Sequence, residues 1–152
     1  GTDVSEWARG AFSAAAALGD YSFSSVQNKL LRYIDDPRVT FVRGYYNESL
    51  TARLSRHVRP VLYADIDRDL YVSTRDALQW MLGSGLVVSG TVIGYDDIWV
   101  SGDAQGEGRA HKEMVAKFGL VLQALSQQVW VVLSCERCVP AAWMKTPRAV
   151  TL

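Results

Sequence analysis

Two acidic clusters, Asp67-Arg68-Asp69 and Asp96-Asp97, each stand where an apolar run ends. Val61 to Ile66 reads as one buried strand, and the run from Val87 to Tyr95 contains a second. The segment between them has helical spacing, so the pair predicts a βαβ unit with parallel strands. Parallel strands deliver their carboxyl ends to one rim of the sheet, where open α/β folds bind ligands. Carboxylates gathered there repel one another unless a proton or cation intervenes. Their oxygens suit a hard divalent ion such as magnesium, which can polarise a bound hydroxyl for a nearby carboxylate to deprotonate. Asp67 and Asp69, two residues apart, share a face only if the strand continues through them.

Other reactive side chains give weaker signals. His57 reads as a surface-helix residue. His111 follows the glycine-rich stretch and either orients a substrate or makes a helix-surface hydrogen bond. Glu107 and Arg109 either reach the active rim or lie on a solvated loop, and we take the loop reading. Tyr45, Tyr46, Tyr71 and Trp99 are either packing residues or the walls of an acceptor or cofactor pocket. Cys135 and Cys138 form a single CxxC, which lacks the further ligands of a tetrahedral zinc site. We read the pair as reduced cysteines, with a local disulfide or redox chemistry as alternatives. No P-loop, HExxH or EF-hand pattern is present.

The elements that must position these groups follow from periodicity and punctuation. Val4 to Leu18 is alanine-rich and helical in pattern. A helix capped by Ser24 or Ser25 runs through Leu30 and Ile34 to Asp35-Asp36-Pro37. Val39 to Val42 reads as a short strand, and Glu48 to His57 as a weaker helix. Ser73 or Thr74 is placed to cap a helix with Ala77, Leu78, Met81 and Leu82 on its buried stripe, ended by Gly83 and Gly85. Ser101 to Gly108 reads as a loop. A helix from Arg109 carries Met114, Phe118, Val121, Leu122 and Leu125 at helical spacing, and Val129 to Leu133 reads as a strand. The alternation predicts one three-layer α/β domain over residues 1–152.

The chain of 152 residues can build one adequate core but hardly two. Sixteen basic and sixteen acidic residues leave no net charge, which argues against non-specific nucleic-acid binding. The apolar stretches are too short or interrupted for a bilayer, and the start lacks a charged-then-apolar leader, so a cytoplasmic protein without membrane contact is the expectation.

The ordered motifs resemble the macrocin O-methyltransferase family, a metal-dependent branch of the class I S-adenosylmethionine (SAM) methyltransferases. The family's D-x-D-L-Y-x-S-T-x-x-A-L pattern is matched by Asp67 to Leu78. Its G-T-V-I-x-x-D-[DE] segment is matched by Gly90 to Asp97, and its G-E-x-x-A region by Gly106 to Ala110. Val39 to Leu50 is similar to its upstream strand and G-x-F-x-x-T-L segment. The resemblance implies Asp67, Asp96 and Asp97 as metal ligands, magnesium as the ion and Asp69 as the general base. It implies methyl transfer from SAM to a hydroxyl on a small acceptor, with a sugar or glycosylated natural product as the expected class. Residues 1 to 25 contain no G-x-G strand-to-helix turn, so the expected fold is a Rossmann-like sheet lacking its N-terminal, SAM-binding half. On that expectation the chain is a fragment, a degenerate domain, or a compact variant completed by a complementary subunit or a homo-oligomer. The alternative expectation is a noncatalytic α/β binding or assembly module, and metal-assisted hydrolysis is a third.

Overall fold

The computed structural model of the chain describes residues 28, 30–67, 70–101 and 104–139, the side chains of Val100 and Ser101 aside. The chain divides into two compact units, 1–49 and 50–152. Among the described residues, no helix is long and apolar enough to cross a membrane.

In the first unit, a helical turn ends with the N–H of Ile34 donating to the Leu30 carbonyl at 2.8 Å. Arg38 then folds back on Asp36, donating to its carboxylate from both backbone and guanidinium. Val39 to Val42 is irregular rather than a strand, and α1 (Tyr46–Ser49) follows it. The alanine-rich helix expected over Val4 to Leu18 lies outside the described residues.

The second unit carries the sheet. Instead of one weak helix ending at His57, it begins with α2 (Ala52–Ser55), whose N-cap Thr51 accepts the Leu54 N–H on its side-chain oxygen. Then come β1 (Tyr63–Ile66), α3 (Tyr71–Gly83), β2 (Val92–Tyr95), α4 (Ile98–Ser101), α5 (Gly106–Phe118), β3 (Leu120–Ala124) and β4 (Val129–Cys135). The spatial order is β1-β2-β4-β3. β1 and β2 are parallel, with Tyr63 opposite Val92 and Ile66 opposite Tyr95. β4 runs antiparallel to both β2 and β3. Two of the three pairings are therefore antiparallel, yet β1, β2 and β3 all point the same way and only β4 is reversed.

Burial alternates along β1, with Ala64 and Ile66 inside and Tyr63 and Asp65 outside, as expected for a sheet covered on one face. Ala64, Ile66, Ile93, Tyr95 and Val132 join one core with Leu78, Met81 and Leu82 of α3 and Ala110, Met114 and Phe118 of α5. Tyr63, Val121 and Leu133 remain exposed. The described residues of the second unit thus make two layers, helices over one face of a mixed sheet, where the sequence suggested three.

Local chemistry fixes the joints. α3 starts at Tyr71, so Ser73 and Thr74 lie inside its first turn rather than at its cap. The fully buried Thr91 hydroxyl accepts the Val88 N–H at 3.0 Å and donates to the Val61 carbonyl at 2.7 Å, tying the start of β2 to the approach to β1. Gly119, at φ 63°, ends α5 in the left-handed conformation that glycine adopts without penalty. Val121 and Leu122, which continue the apolar spacing of α5, consequently belong to β3.

Candidate functional site

The parallel register of β1 and β2 puts their carboxyl ends side by side, and the acids follow at once. Asp67 succeeds Ile66 and Asp96 succeeds Tyr95, the last register pair. Asp67 and Asp96 are exposed and Asp97 is half-buried. Asp69, the expected base, lies outside the described residues.

The Asp96-Asp97 turn is held by its backbone from three directions. The Asp96 N–H donates to the Ile66 carbonyl of β1 at 3.0 Å. The Gln128 side-chain amide donates to the Asp96 carbonyl at 2.5 Å, while the Tyr95 N–H donates to the Gln128 carbonyl at 2.9 Å. The Asp97 N–H donates to a carboxylate oxygen of Glu107 at 3.0 Å. Three separate elements therefore set the path of a turn only two residues long.

Glu107 departs most from the sequence reading. It is not on a solvated loop but in the first turn of α5, with 0% of its surface exposed. A carboxylate removed from water needs donors; the Asp97 N–H is one, and the amide-rich N-terminus of α5 favours negative charge there. Arg109 likewise belongs to α5, where its guanidinium donates to Glu113 at 3.0 Å and stacks 4.1 Å from the Tyr71 ring centre.

One helical turn beyond Glu107, His111 meets the end of β2: its Nδ1 lies 3.0 Å from the Tyr95 hydroxyl. The rings of Tyr95 and His111 are edge-to-face at 5.2 Å, and Trp130 of β4 lies 4.8 Å from His111. Burial, reinforced by the Glu107 charge, pushes the Tyr95 phenol well above its ordinary pKa, so it remains protonated. A neutral His111 can accept that proton on Nδ1, which would leave its Nε2 carrying the ring hydrogen. His111 thus fixes the strand end instead of decorating a helix surface.

Tyr71 belongs to the core. Its ring is buried beneath Arg109, and its hydroxyl bonds the Glu113 carboxylate. That hydrogen bond is the main cause of the raised Tyr71 pKa, with burial next. Trp99, two residues past Asp97, is 54% exposed. His57 is exposed just after α2, as its surface reading required. Tyr45 and Tyr46 belong to the first unit.

Cys135 and Cys138 are joined as a disulfide with Cα atoms 5.5 Å apart, correcting the reduced reading. Their loop covers the end of α5: the N–H groups of Glu136 and Arg137 donate to the Gly119 and Phe118 carbonyls at 3.1 and 2.9 Å. The Arg137 guanidinium takes the Ala116 carbonyl at 2.6 Å. The Cys135 sulfur sits 3.5 Å from the Phe118 oxygen, a contact only, since a disulfide sulfur has no proton to donate.

The acidic donor set suits a hard cation chemically, because carboxylates stand at two adjacent strand ends. Among the described residues, however, no group of three or more His, Cys, Asp or Glu side chains is placed to hold a metal ion. Neither the known protein families nor the curated proteins compared with this chain give a match.

The sequence exposed the acids and offered Glu107 at the rim, but missed the burial of Glu107 and its bond to Asp97, Gln128 and the Tyr95–His111 contact. Glu107 carried one usable signal, its place between two glycines, where small neighbours let a carboxylate approach backbone closely. Gln128 carried none.

Proposed function

We propose that the chain bears the metal-binding and acceptor side of a magnesium-dependent O-methyltransferase that draws its methyl group from SAM. The observation that carries this reading is the parallel register of β1 and β2, which brings Asp67 beside the Asp96-Asp97 turn. The ordered motifs from Asp67 to Ala110 support it, and so does the direction of the strands. Three co-directional strands with one reversed are compatible with a largely parallel, Rossmann-like sheet that has an antiparallel member near its edge.

On this reading Asp67, Asp96 and Asp97 hold the cation, and Asp69 removes the proton from the acceptor hydroxyl. A bound magnesium ion would supply charge that lowers the pKa of that hydroxyl. SAM, where bound, would supply the methyl group, its carbon–sulfonium bond breaking as the bond to the acceptor oxygen forms and S-adenosylhomocysteine leaves. The acceptor is a small hydroxyl compound, with a glycosylated natural product as the proposed class. The remaining part of the SAM site would come from a further part of the same protein, a complementary subunit or a second copy of the chain, in a cytoplasmic setting.

A second reading, a noncatalytic α/β binding or assembly module, is favoured by one observation. No three ligand side chains converge among the described residues.

Calorimetric titration of the native assembly with SAM, with and without magnesium, separates the two. The transferase reading expects SAM binding that tightens when magnesium is present. No SAM binding under either condition would leave the noncatalytic module.

A further inference from the structure

We propose that Glu107 is the positioning residue of the acidic rim: its buried carboxylate sets the Asp96-Asp97 turn in the arrangement that meets a divalent cation. The inference rests on the metal-binding reading of that rim, and adds to it a residue that does not itself touch the metal.

Three features point to this role. First, Glu107 is wholly buried and one of its oxygens is engaged by the Asp97 N–H, so it faces the backbone of the turn. Second, burying a carboxylate is costly unless donors and favourable dipoles compensate. Filling space beneath a turn needs only an apolar side chain, whereas gripping an N–H needs an acceptor at a defined distance. Third, the other backbone fasteners of the turn come from elements that the sheet already fixes. The Ile66 carbonyl is part of the β1–β2 ladder, and Gln128 immediately precedes β4. Glu107 instead ties the turn to α5, a helix outside the sheet.

The Asp96 side chain shows what this arrangement leaves available. Both its backbone N–H and carbonyl are bonded, while its carboxylate is exposed and makes no hydrogen bond or ion pair among the described residues. A rigid backbone with an outward carboxylate is a preorganised ligand, which loses less freedom when a cation arrives.

The test compares wild-type protein with Glu107→Gln and Glu107→Asp by magnesium titration and by hydrogen exchange of the Asp97 amide in magnesium-free protein. Glutamine keeps an acceptor oxygen at the same reach; aspartate keeps the charge but retracts it by one methylene. We expect E107Q to hold magnesium nearly as well as wild type. E107D should bind it about 10-fold or more weakly, the usual scale for supporting residues around a metal, and its Asp97 amide should exchange faster. Normal magnesium affinity in E107D would overturn the positioning role and leave the metal-binding reading intact. Equal losses in both variants would also overturn it, because charge rather than placement would then matter. An Asp97 amide unaffected by E107D would overturn it without reference to any metal. Failure of the wild-type protein to bind magnesium would remove the metal-binding reading itself, and the role with it. Circular dichroism of each variant identifies any loss of binding that comes from unfolding; if E107D unfolds, E107Q alone decides, and weakened magnesium binding there overturns the role.

Discussion

The main-chain N–H of Asp96 donates to the carbonyl oxygen of Ile66 at 3.0 Å, so the first acid of the turn also continues the bonding between two parallel strands. A side chain at such a position can be changed without disturbing the backbone bond. We expect Asp67→Asn and Asp97→Asn to weaken magnesium binding about 10-fold or more, and to affect it more than they affect folding. Isothermal titration beside urea denaturation measures both quantities. Unchanged magnesium affinity in both variants would refute these ligand assignments.

Thr91 offers a test of the fold that is independent of function. Its buried hydroxyl serves the Val88 N–H and the Val61 carbonyl together. Valine has nearly the same shape but strands both partners, so Thr91→Val should cost roughly 1–3 kcal/mol. Thr91→Ser keeps the hydroxyl and should cost less. A urea midpoint lower in T91S than in T91V would contradict this account.

Glu113 gives the expected acid response. The Tyr71 hydroxyl and then the Arg109 guanidinium hold its carboxyl below the ordinary glutamate value of 4.5. Because the folded pKa is depressed, this contribution to stability is complete above that ordinary value. It fades as the pH falls from there through the folded-state pKa. The stability difference between wild type and Glu113→Gln should thus be level near neutrality and shrink toward acid. The effect is screened, since the side chain is 42% exposed. Urea titrations from neutral to acidic pH report it, and a difference that stays constant through the acid range would rule out the linkage.

The Cys135–Cys138 disulfide closes a very short loop, for which chain entropy suggests about 2 kcal/mol of stabilisation. Reduction, or paired replacement by serine, should lower stability on that order and speed amide exchange at Glu136 and Arg137, the donors that cover the end of α5. Alkylation without prior reduction, read by mass spectrometry, should label neither cysteine in the oxidised protein and both in a reducing compartment, where the pair would be held as thiols. Exchange rates at Glu136 and Arg137 that do not respond to reduction would show that the covalent link does not support this cover.

How far the sequence revealed these features depends on how local each one is. The apolar runs ending at Ile66 and Tyr95, and the stripes through Leu78 and Met114, follow from short-range periodicity and lie near where it puts them. The parallel β1–β2 pair followed from the helical segment between the runs. Leu122 misled because the spacing of apolar residues continues smoothly past Phe118, while a single left-handed glycine turns the chain into β3. The burial of Glu107 was illegible for a different reason. A charge between glycines looks solvated until the Asp97 backbone, ten residues earlier in the chain, is brought against it.

The reversal of β4 changes which loops border the acids. β1 and β2 reach that edge by ending there, whereas β4 reaches it by beginning there, with Val129 opposite Gly94. The tight bend from Leu125 to Gln128 is consequently a neighbour of Asp96, and Gln128 already touches it. Variation in that bend would alter what stands beside the acids while leaving every acidic residue in place, so differences in ligand preference among engineered versions could arise from four residues that carry no charge at all.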